Sequence, residues 1–333
     1  MSGLAKISFK NVFWLVSLLI IVIILVIGYL NFYTIYDDIL LINYKPPEAI
    51  VKLAQQDTMT NYARTIFYIN YPKLINLNSF YLYCPNKDPS QSIVLGCYHG
   101  NEGGIYLLNV SDPTLYGLEQ VTAAHEMLHG IYSRLSNQNR NKLDTELMNF
   151  YNHDLKSPVI KAQIAIYRKT EPGYVENEMN STFATECKNL PPALNNFYKQ
   201  YFTNRQAVVN FNNSYQSQLT NRENIVQKDD IRLNQLSTQI NNLTKTLVSQ
   251  KNQINNLGQQ INQLKINGPY ATYKADVTEY NNLVTNFNNE INNQYKPLVN
   301  SYNQLVVSRN NVSDQLFKLQ NTLVNPYAPS SSN

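Results

Sequence analysis

A strict seven-residue repeat in the last third of the chain constrains its fold more than any other feature. Apolar residues occupy the two seam positions of a coiled coil over several consecutive heptads. The first seam series is Leu219, Val226, Leu233, Ile240, Leu247, Ile254 and Ile261, and the second is Leu236, Leu243, Leu257 and Leu264. The repeat therefore predicts a long helix whose apolar stripe packs against another helix.

A turn sequence divides this region into two arms of similar length. An Asn-Gly-Pro sequence at 267–269 interrupts the repeat, and a looser apolar series follows it. We expect residues 206–324 to form an antiparallel helical hairpin, with its second arm kinked near Pro297. Pairing of both arms with another subunit or a separate coiled-coil partner stays open. Residues 325–333 are expected to be a disordered tail.

The N-terminal region contains an uncharged, strongly apolar stretch. Residues 11–36 carry no charge and are long enough to cross a bilayer as a helix. Two lysines lie within residues 1–10, and Asp37 and Asp38 follow the stretch, so the positive-inside rule puts the N-terminus in the cytoplasm. A cleavable signal peptide is the alternative, but the run is long for one and lacks a small-x-small site. We expect a single-pass cell-membrane protein with an extracytoplasmic C-terminal domain.

The composition excludes several classes of protein. A net charge of +4 gives no reason to expect nucleic-acid binding. Three cysteines in 333 residues exclude a disulfide-rich scaffold. Residues 37–205, between the apolar stretch and the coiled coil, are therefore expected to form a globular domain.

Within this domain, four short runs rich in β-branched and aromatic residues predict strands. The runs are residues 64–70, 79–84, 93–98 and 104–110. Cys84 and Cys97 end two of them, so a disulfide between them is expected, and Cys187 is left as a buried thiol. Helical patterns lie at residues 49–55, 140–151, 159–169 and 174–190. The domain is thus predicted to be α+β.

The sequence VTAAHEMLHGIYSRL at 121–135 carries the strongest functional signal. Apolar residues recur at helical spacing along it, and His125 and His129 lie one helical turn apart beside that stripe. Two imidazoles side by side can hold one metal ion, and Glu126 is placed to move a proton as general base. Two histidines on a surface helix by chance are the alternative, but half of the four histidines of the chain lie in this motif.

A family resemblance follows from these residues together with a second helix. His125-Glu126-x-x-His129 followed by Asn177-Glu178-x-x-Ser181 resembles the gluzincin metallopeptidases, the thermolysin-like group, in which a second helix supplies a glutamate ligand. The resemblance implies a zincin-like mixed sheet, in which residues 104–110 match the edge strand that holds the substrate. It also implies Zn²⁺ and hydrolysis of peptide or protein substrates.

One residue departs from the family pattern. Thr182 stands where many thermolysin-like sequences have an aspartate that orients a zinc-binding histidine. A threonine hydroxyl can accept the imidazole hydrogen bond, so Thr182 is a candidate for a supporting contact behind the ligands.

The sequence offers two glutamates as the third ligand. Glu178 lies in the Asn-Glu pair that resembles the family pattern, and it is the ligand we predict. Glu186 falls nearer the apolar face of the same helix, where a buried carboxylate needs a partner. It is therefore assigned to a supporting role or to an alternative ligand. His153, Tyr167 and Tyr174 are candidates to stabilise the oxyanion.

Two other functions compete with the membrane-anchored zinc peptidase. The first is a non-enzymatic envelope scaffold or adaptor that acts through its coiled coil and has a structural or degenerate metal site. The second is a hydrolase that acts on another bond. The complete motif with a candidate third ligand favours the peptidase.

Overall fold

The computed structural model describes residues 9–85 and 94–323. The predictions of a cytoplasmic N-terminus and of a disordered tail fall mainly on residues outside these ranges. The described chain is mainly helical and divides after Tyr215 into two compact units.

The first unit contains eleven of the described α-helices. They are α1 (Phe9–Leu30), α2 (Phe32–Leu41), α3 (Glu48–Gln56), α4 (Asn61–Ile69), α5 (Leu77–Tyr83), α6 (Gly100–Gly103), α7 (Leu118–Ser133), α8 (Asn137–Asn149), α9 (Pro158–Thr170), α10 (Val175–Glu186) and α11 (Pro192–Tyr198). A 3₁₀ turn at Pro113–Leu115 precedes α7, and a π-helical turn at Phe150–Asp154 follows α8.

The described strands form a small three-stranded sheet. They are β1 (Lys73–Ile75), β2 (Gly96–Tyr98) and β3 (Ile105–Leu108), in the order β1-β3-β2. β3 is buried along its whole length, because it pairs in parallel with β1 and antiparallel with β2. In register, Leu74 lies opposite Leu107, and Cys97 lies opposite Tyr106.

The predicted zincin-like α+β fold with an N-terminal transmembrane helix is wrong. The runs at 64–70 and 79–84, predicted as strands, belong to α4 and α5. Thr60 and Asn76 cap these helices, each accepting a hydrogen bond from the backbone three residues on. Only three short strands remain in the described chain, and this small sheet within a mainly helical unit does not make a zincin-like α+β fold.

The apolar N-terminal stretch is broken at Asn31, whose side-chain amide donates a hydrogen bond to the carbonyl of Ile27. Among the described helices, no single one has the length and hydropathy needed to cross a bilayer. Within the described chain, one pair of helices has that length and hydropathy when taken together, Phe13–Tyr29 with Phe32–Leu41. The two helices meet at an angle of 66°.

Helix α7 lies at the centre of the first unit. Gly117 precedes it with a φ of 106°, and a side chain there would collide with the backbone of Phe211, so only glycine fits. Asp112 caps the preceding 3₁₀ turn by accepting a hydrogen bond from the backbone N–H of Thr114. α7 packs against α3, α4, α10 and the sheet, which buries most of its residues.

The second unit, Gln216–Thr322, is a helical hairpin. It comprises most of α12 (Arg205–Asn267), then α13 (Tyr270–Glu290), a π-helical turn (Ile291–Tyr295) and α14 (Lys296–Leu323). Three pairs of side chains link the arms: Gln250 with Glu290, Gln260 with Asp276, and Arg309 with Asp230. The paired numbers run in opposite directions, so the arms are antiparallel. The second arm departs from α-helical geometry at the π-helical turn, Ile291–Tyr295. This turn lies just before Pro297, near which a kink was expected.

Candidate metal centre

Two histidines and a glutamate of α7 form a cluster of metal-binding type. His125 and His129 lie one turn apart, with their ring centroids 4.8 Å from each other. The nearest ligand atoms of His125, Glu126 and His129 all lie within 4.8 Å of one another. This cluster could bind a metal ion, and its geometry does not identify which metal.

Glu178 of α10 faces both histidines. Its Oε2 lies 3.4 Å from Nε2 of His125, and its Oε1 lies 3.5 Å from Nε2 of His129. Because α10 packs directly on α7, one carboxylate reaches both rings. The three side chains are 10 to 16% exposed, which leaves an edge open to solvent.

The charge state of Glu178 suits a ligand. Burial alone would raise its pKa, but the nearby His129 and His125 rings and hydrogen bonds from His125 and Tyr167 lower it below the ordinary value. The carboxylate is thus ionised at neutral pH, as metal binding requires. Glu178 and the two histidines therefore provide two imidazole nitrogens and one carboxylate around a common point.

Glu126 lies in a different environment from Glu178. The residue is 5% exposed, and burial raises the pKa of its carboxyl to about 7. His129 opposes this shift, while the negative charges of Glu178 and Glu171 add to it. A carboxyl with a pKa near neutrality can both accept and release a proton.

Strand β2 crosses the motif helix at these residues. Gly96 lies against Glu126 and Thr122, with no room for a side chain between them. The ring of Tyr98 stacks on that of His129 at 6.5 Å between centroids, and its hydroxyl lies 3.0 Å from Oγ of Ser133. We did not predict either contact from the sequence, although a glycine inside a strand is a signal of close approach.

Ser181, and not the predicted Thr182, makes the supporting contact with the His129 ring. Oγ of Ser181 lies 3.4 Å from Nδ1 of His129. Thr182 is fully buried, and its hydroxyl has no hydrogen-bond partner among the described residues. The serine is one residue earlier on α10, on the side that faces α7.

A network on α9 and α10 connects Glu178 with Glu186. Tyr167 donates a hydrogen bond to Glu178, and the amide of Gln163 lies 3.4 Å from the Tyr167 hydroxyl. Gln163 also hydrogen-bonds to Glu186, and both Gln163 and the nearby His125 act to lower the pKa of the Glu186 carboxyl. Burial raises the pKa of Glu186 despite these contacts. Glu186 thus lies behind His125, while Glu178 faces both rings.

Of the three residues predicted to stabilise an oxyanion, the structure brings only Tyr167 into this network. His153 is exposed in the π-helical turn, and its Nδ1 lies 3.1 Å from the carbonyl of Asn149. Tyr174 is 64% exposed just before α10. Within the described chain, neither side chain hydrogen-bonds to the motif residues.

The prediction that residues 104–110 form an edge strand that holds the substrate is wrong. Residues 104–110 contain β3, which lies in the centre of the described sheet, and the strand at the edge nearest the motif is β2. β2 is joined to the end of α5 by a disulfide between Cys97 and Cys84, whose Cα atoms are 5.8 Å apart. Cys187 is buried and free.

Comparison of the chain with protein-family models, curated proteins and solved structures found no match. Fold and site together define a mainly helical protein with an HExxH helix that could bind a metal ion. The resemblance to gluzincins therefore remains confined to the motif residues.

Proposed function

We propose that this protein is a zinc metallopeptidase whose ligands are His125, His129 and Glu178. The observation that carries the proposal is the position of the Glu178 carboxylate, 3.4 and 3.5 Å from the two Nε2 atoms. Burying a carboxylate beside two imidazoles costs free energy unless a cation compensates its charge. A metal ion bound by all three groups offsets that cost.

The donor set favours zinc. Two imidazoles and one carboxylate leave a fourth tetrahedral position open, as in catalytic zinc sites. When bound, zinc would polarise a scissile carbonyl and lower the pKa of a coordinated water to about 7.

Glu126 is the proton carrier in this proposal. It is not needed as a ligand, because Glu178 already completes the set of three. Its pKa of about 7 allows it to take a proton from the attacking water and pass it to the leaving nitrogen. Gly96 and Thr122 pack against it and restrict its orientation. Tyr167 holds Glu178 by a hydrogen bond.

Extended peptide segments are the proposed substrates. β2 is an edge strand of the described sheet and passes directly over Glu126. Backbone groups on such an edge can pair with an extended chain and hold a peptide bond beside the metal. Unfolded proteins and flexible segments meet this requirement, whereas stably folded domains do not.

The test uses the full chain loaded with Zn²⁺ and an unfolded protein substrate. Glu126→Gln is expected to keep its zinc and to lose hydrolysis by roughly a hundredfold to ten-thousandfold, because it removes only the proton carrier. Glu48→Gln, at an exposed position on α3, is the matched control and should cleave at the parental rate. Cleavage by the Glu126→Gln protein at the parental rate would show that the proposal is wrong.

The long hairpin favours a second candidate, a scaffold that acts through its arms. In that case, the purified chain binds a metal but has no hydrolytic activity. Glu126→Gln would then change neither metal content nor binding to partners. The same pair of proteins therefore distinguishes the two functions.

A further inference from the structure

We propose that Cys84, Cys97 and His99 form a second metal site, which binds Zn²⁺ only when the disulfide is reduced. Their ligand atoms lie within 4.8 Å of one another. Nε2 of His99 is 3.1 Å from Sγ of Cys97. This site is separate from the histidine and glutamate cluster of α7 and does not rest on the proposed peptidase activity.

Regular elements hold the three ligands in place. Cys84 caps the end of α5, Cys97 is the middle residue of β2, and His99 follows that strand. Cys97 and His99 are two residues apart, so their side chains leave the strand on the same face. The fold thus brings the ligands together through α5 and β2 as well as through the covalent bond.

Packing around the site supports this placement. Cys84 is buried in an apolar cluster with Phe80 and Tyr106, and Cys97 packs against the same cluster. The ring of His99 meets that of Tyr106 edge to face at 5.7 Å. Breaking the sulfur–sulfur bond leaves these contacts intact, so the two thiols are expected to stay close.

After reduction, the two sulfurs must separate to about 3.8 Å to fit a tetrahedral zinc site, whereas sulfur and nitrogen need little adjustment. Zn–S bonds of about 2.3 Å and Zn–N bonds of about 2.0 Å in a tetrahedron put sulfur and nitrogen about 3.5 Å apart. The present separation of 3.1 Å between Cys97 and His99 is slightly shorter. His99 also hydrogen-bonds through Nε2 to the carbonyl of Tyr83 at 2.8 Å, and metal binding would replace this bond.

The chemistry balances with a small dithiol as the reductant. Two electrons and two protons pass from the dithiol to the protein disulfide, which gives two cysteine thiols and an oxidised cyclic disulfide. Zinc binding then releases the two thiol protons, because thiolates are the ligands. The reverse exchange with an oxidised cyclic disulfide, which takes up the two electrons and two protons from water, forms the protein sulfur–sulfur bond again and releases Zn²⁺. His99 is exposed and Cys97 is partly exposed, so a small dithiol can reach the bond.

Cobalt(II) is the probe that separates this site from the one on α7. Thiolate ligands give cobalt a strong near-ultraviolet charge-transfer band, which imidazole and carboxylate ligands do not produce. The full chain, reduced with a dithiol that is then removed under nitrogen, is titrated with Co²⁺. We expect the band to reach its maximum within two equivalents, because the α7 cluster competes for cobalt, to be displaced by Zn²⁺, and to be absent from the oxidised chain.

Three variants complete the experiment. Cys97→Ser should show no band, and His99→Asn should bind cobalt at least about tenfold more weakly, since it lacks one ligand. Cys187→Ser is the control and should behave as the parent, because that thiol is buried elsewhere. His99→Asn keeps both cysteines, and a circular dichroism spectrum like that of the parent shows that it has folded.

Two results would overturn the proposal. One is a reduced chain that gives no band at millimolar cobalt. The other is a His99→Asn protein that binds cobalt as tightly as the parent. Loss of metal binding on α7 would leave the charge-transfer band unchanged, so failure of the peptidase proposal is recognised separately.

Discussion

A Cβ atom on Gly96 would lie 2.7 Å from Oε1 of Glu126 and 2.6 Å from Cγ2 of Thr122. Contacts below 3.0 Å are essentially never made by real Cβ atoms, so an added methyl group must displace the strand or the glutamate. The backbone of β2 therefore determines where the Glu126 carboxylate can lie.

Gly96→Ala is accordingly expected to lower peptide hydrolysis by tenfold or more, because a misplaced general base loses most of its effect. Zinc content should be unchanged, since Gly96 does not touch the ligands. Gly173→Ala is the control, as nothing lies within 4 Å of a Cβ there. Rates and zinc content of both variants decide the matter, and an alanine at 96 with full activity would contradict it.

The third ligand is tested by comparing two glutamates on one helix. Glu178→Gln should weaken zinc binding by roughly a hundredfold or more, since it removes both a bond and a compensating charge. Glu186→Gln should weaken it by about tenfold at most, as expected for a group behind a ligand. Titration of each variant against a chelator measures both values. A larger loss at Glu186 would reverse the assignment.

Asp57 predicts a pH-dependent stability. It is fully buried, its carboxyl oxygens have no hydrogen-bond partner among the described residues, and burial raises its pKa well above the ordinary value. The folded state therefore holds the proton more tightly than the unfolded state. The stabilisation is complete below pH about 4 and is lost as the pH rises through the raised pKa, by up to about 1.4 kcal/mol per pH unit.

Asp57→Asn removes this titration, so it should stabilise the protein at pH 8 relative to the parent and flatten the curve between pH 5 and 8. Denaturant unfolding at several pH values measures the effect. Asp154→Asn, at an exposed position, is the control and should leave the slope unchanged. Equal slopes for the parent and Asp57→Asn would contradict the prediction.

A buried ion pair fastens α2 to the end of α7. Arg134 donates hydrogen bonds of 3.0 and 2.8 Å to the two oxygens of Asp37, which is 4% exposed. Asp37→Asn should lower the free energy of unfolding by about 3 kcal/mol, because the buried guanidinium loses its counter-charge. Asp230→Asn, which breaks the exposed pair with Arg309, should have a much smaller effect. Equal losses would show that burial does not govern these pairs.

The pairing of the two arms is tested by cross-linking. Gln250 and Glu290 are hydrogen-bonded across the hairpin at 2.6 Å. With Cys187 replaced by serine, a bifunctional thiol reagent about 10 Å long should join Gln250→Cys to Glu290→Cys within one chain, since a direct disulfide needs Cα atoms within about 7 Å. The reagent should not join Gln250→Cys to Asn310→Cys, since 20 residues of helix separate positions 290 and 310 by roughly 30 Å. Covalent dimers in place of the internal bond would support pairing between subunits.

The sequence alone was sufficient to predict the helices where one apolar repeat extends over a long segment. Positions such as Leu236 and Leu247 in the heptad series are buried between the arms, because every turn of the helix repeats the same preference. The motif helix was predictable for the same reason. The structure starts this helix at Leu118, after the turn at Pro113–Leu115 and the left-handed Gly117.

Short apolar runs misled us, because β-branched and aromatic residues also occur in buried helices. Residues 64–70 and 79–84 have strand-like composition, yet Thr60 and Asn76 stand at the N-cap positions. Giving these caps more weight would have predicted α4 and α5. The break in the apolar stretch at Asn31 was also missed, since Asn31 is a single polar residue in an otherwise apolar run.

The surroundings of the candidate metal centre depend on contacts between distant segments. Asn177-Glu178 pointed to the third ligand, and the structure places that carboxylate against both histidines. Tyr98 on the His129 ring and Ser181 behind it depend on how β2 and α10 pack on α7. No local pattern encodes such packing.

The contacts that join the two arms of the hairpin determine how its stability responds to salt. The ion pair of Arg309 with Asp230 joins one arm to the other, and both partners are substantially exposed. An exposed contact pair contributes only about 0 to 1 kcal/mol, so weakening it with salt costs little, whereas salt leaves an apolar seam intact. The arms are therefore expected to hold their register from fresh to saline water, and their stability should follow temperature far more than salinity.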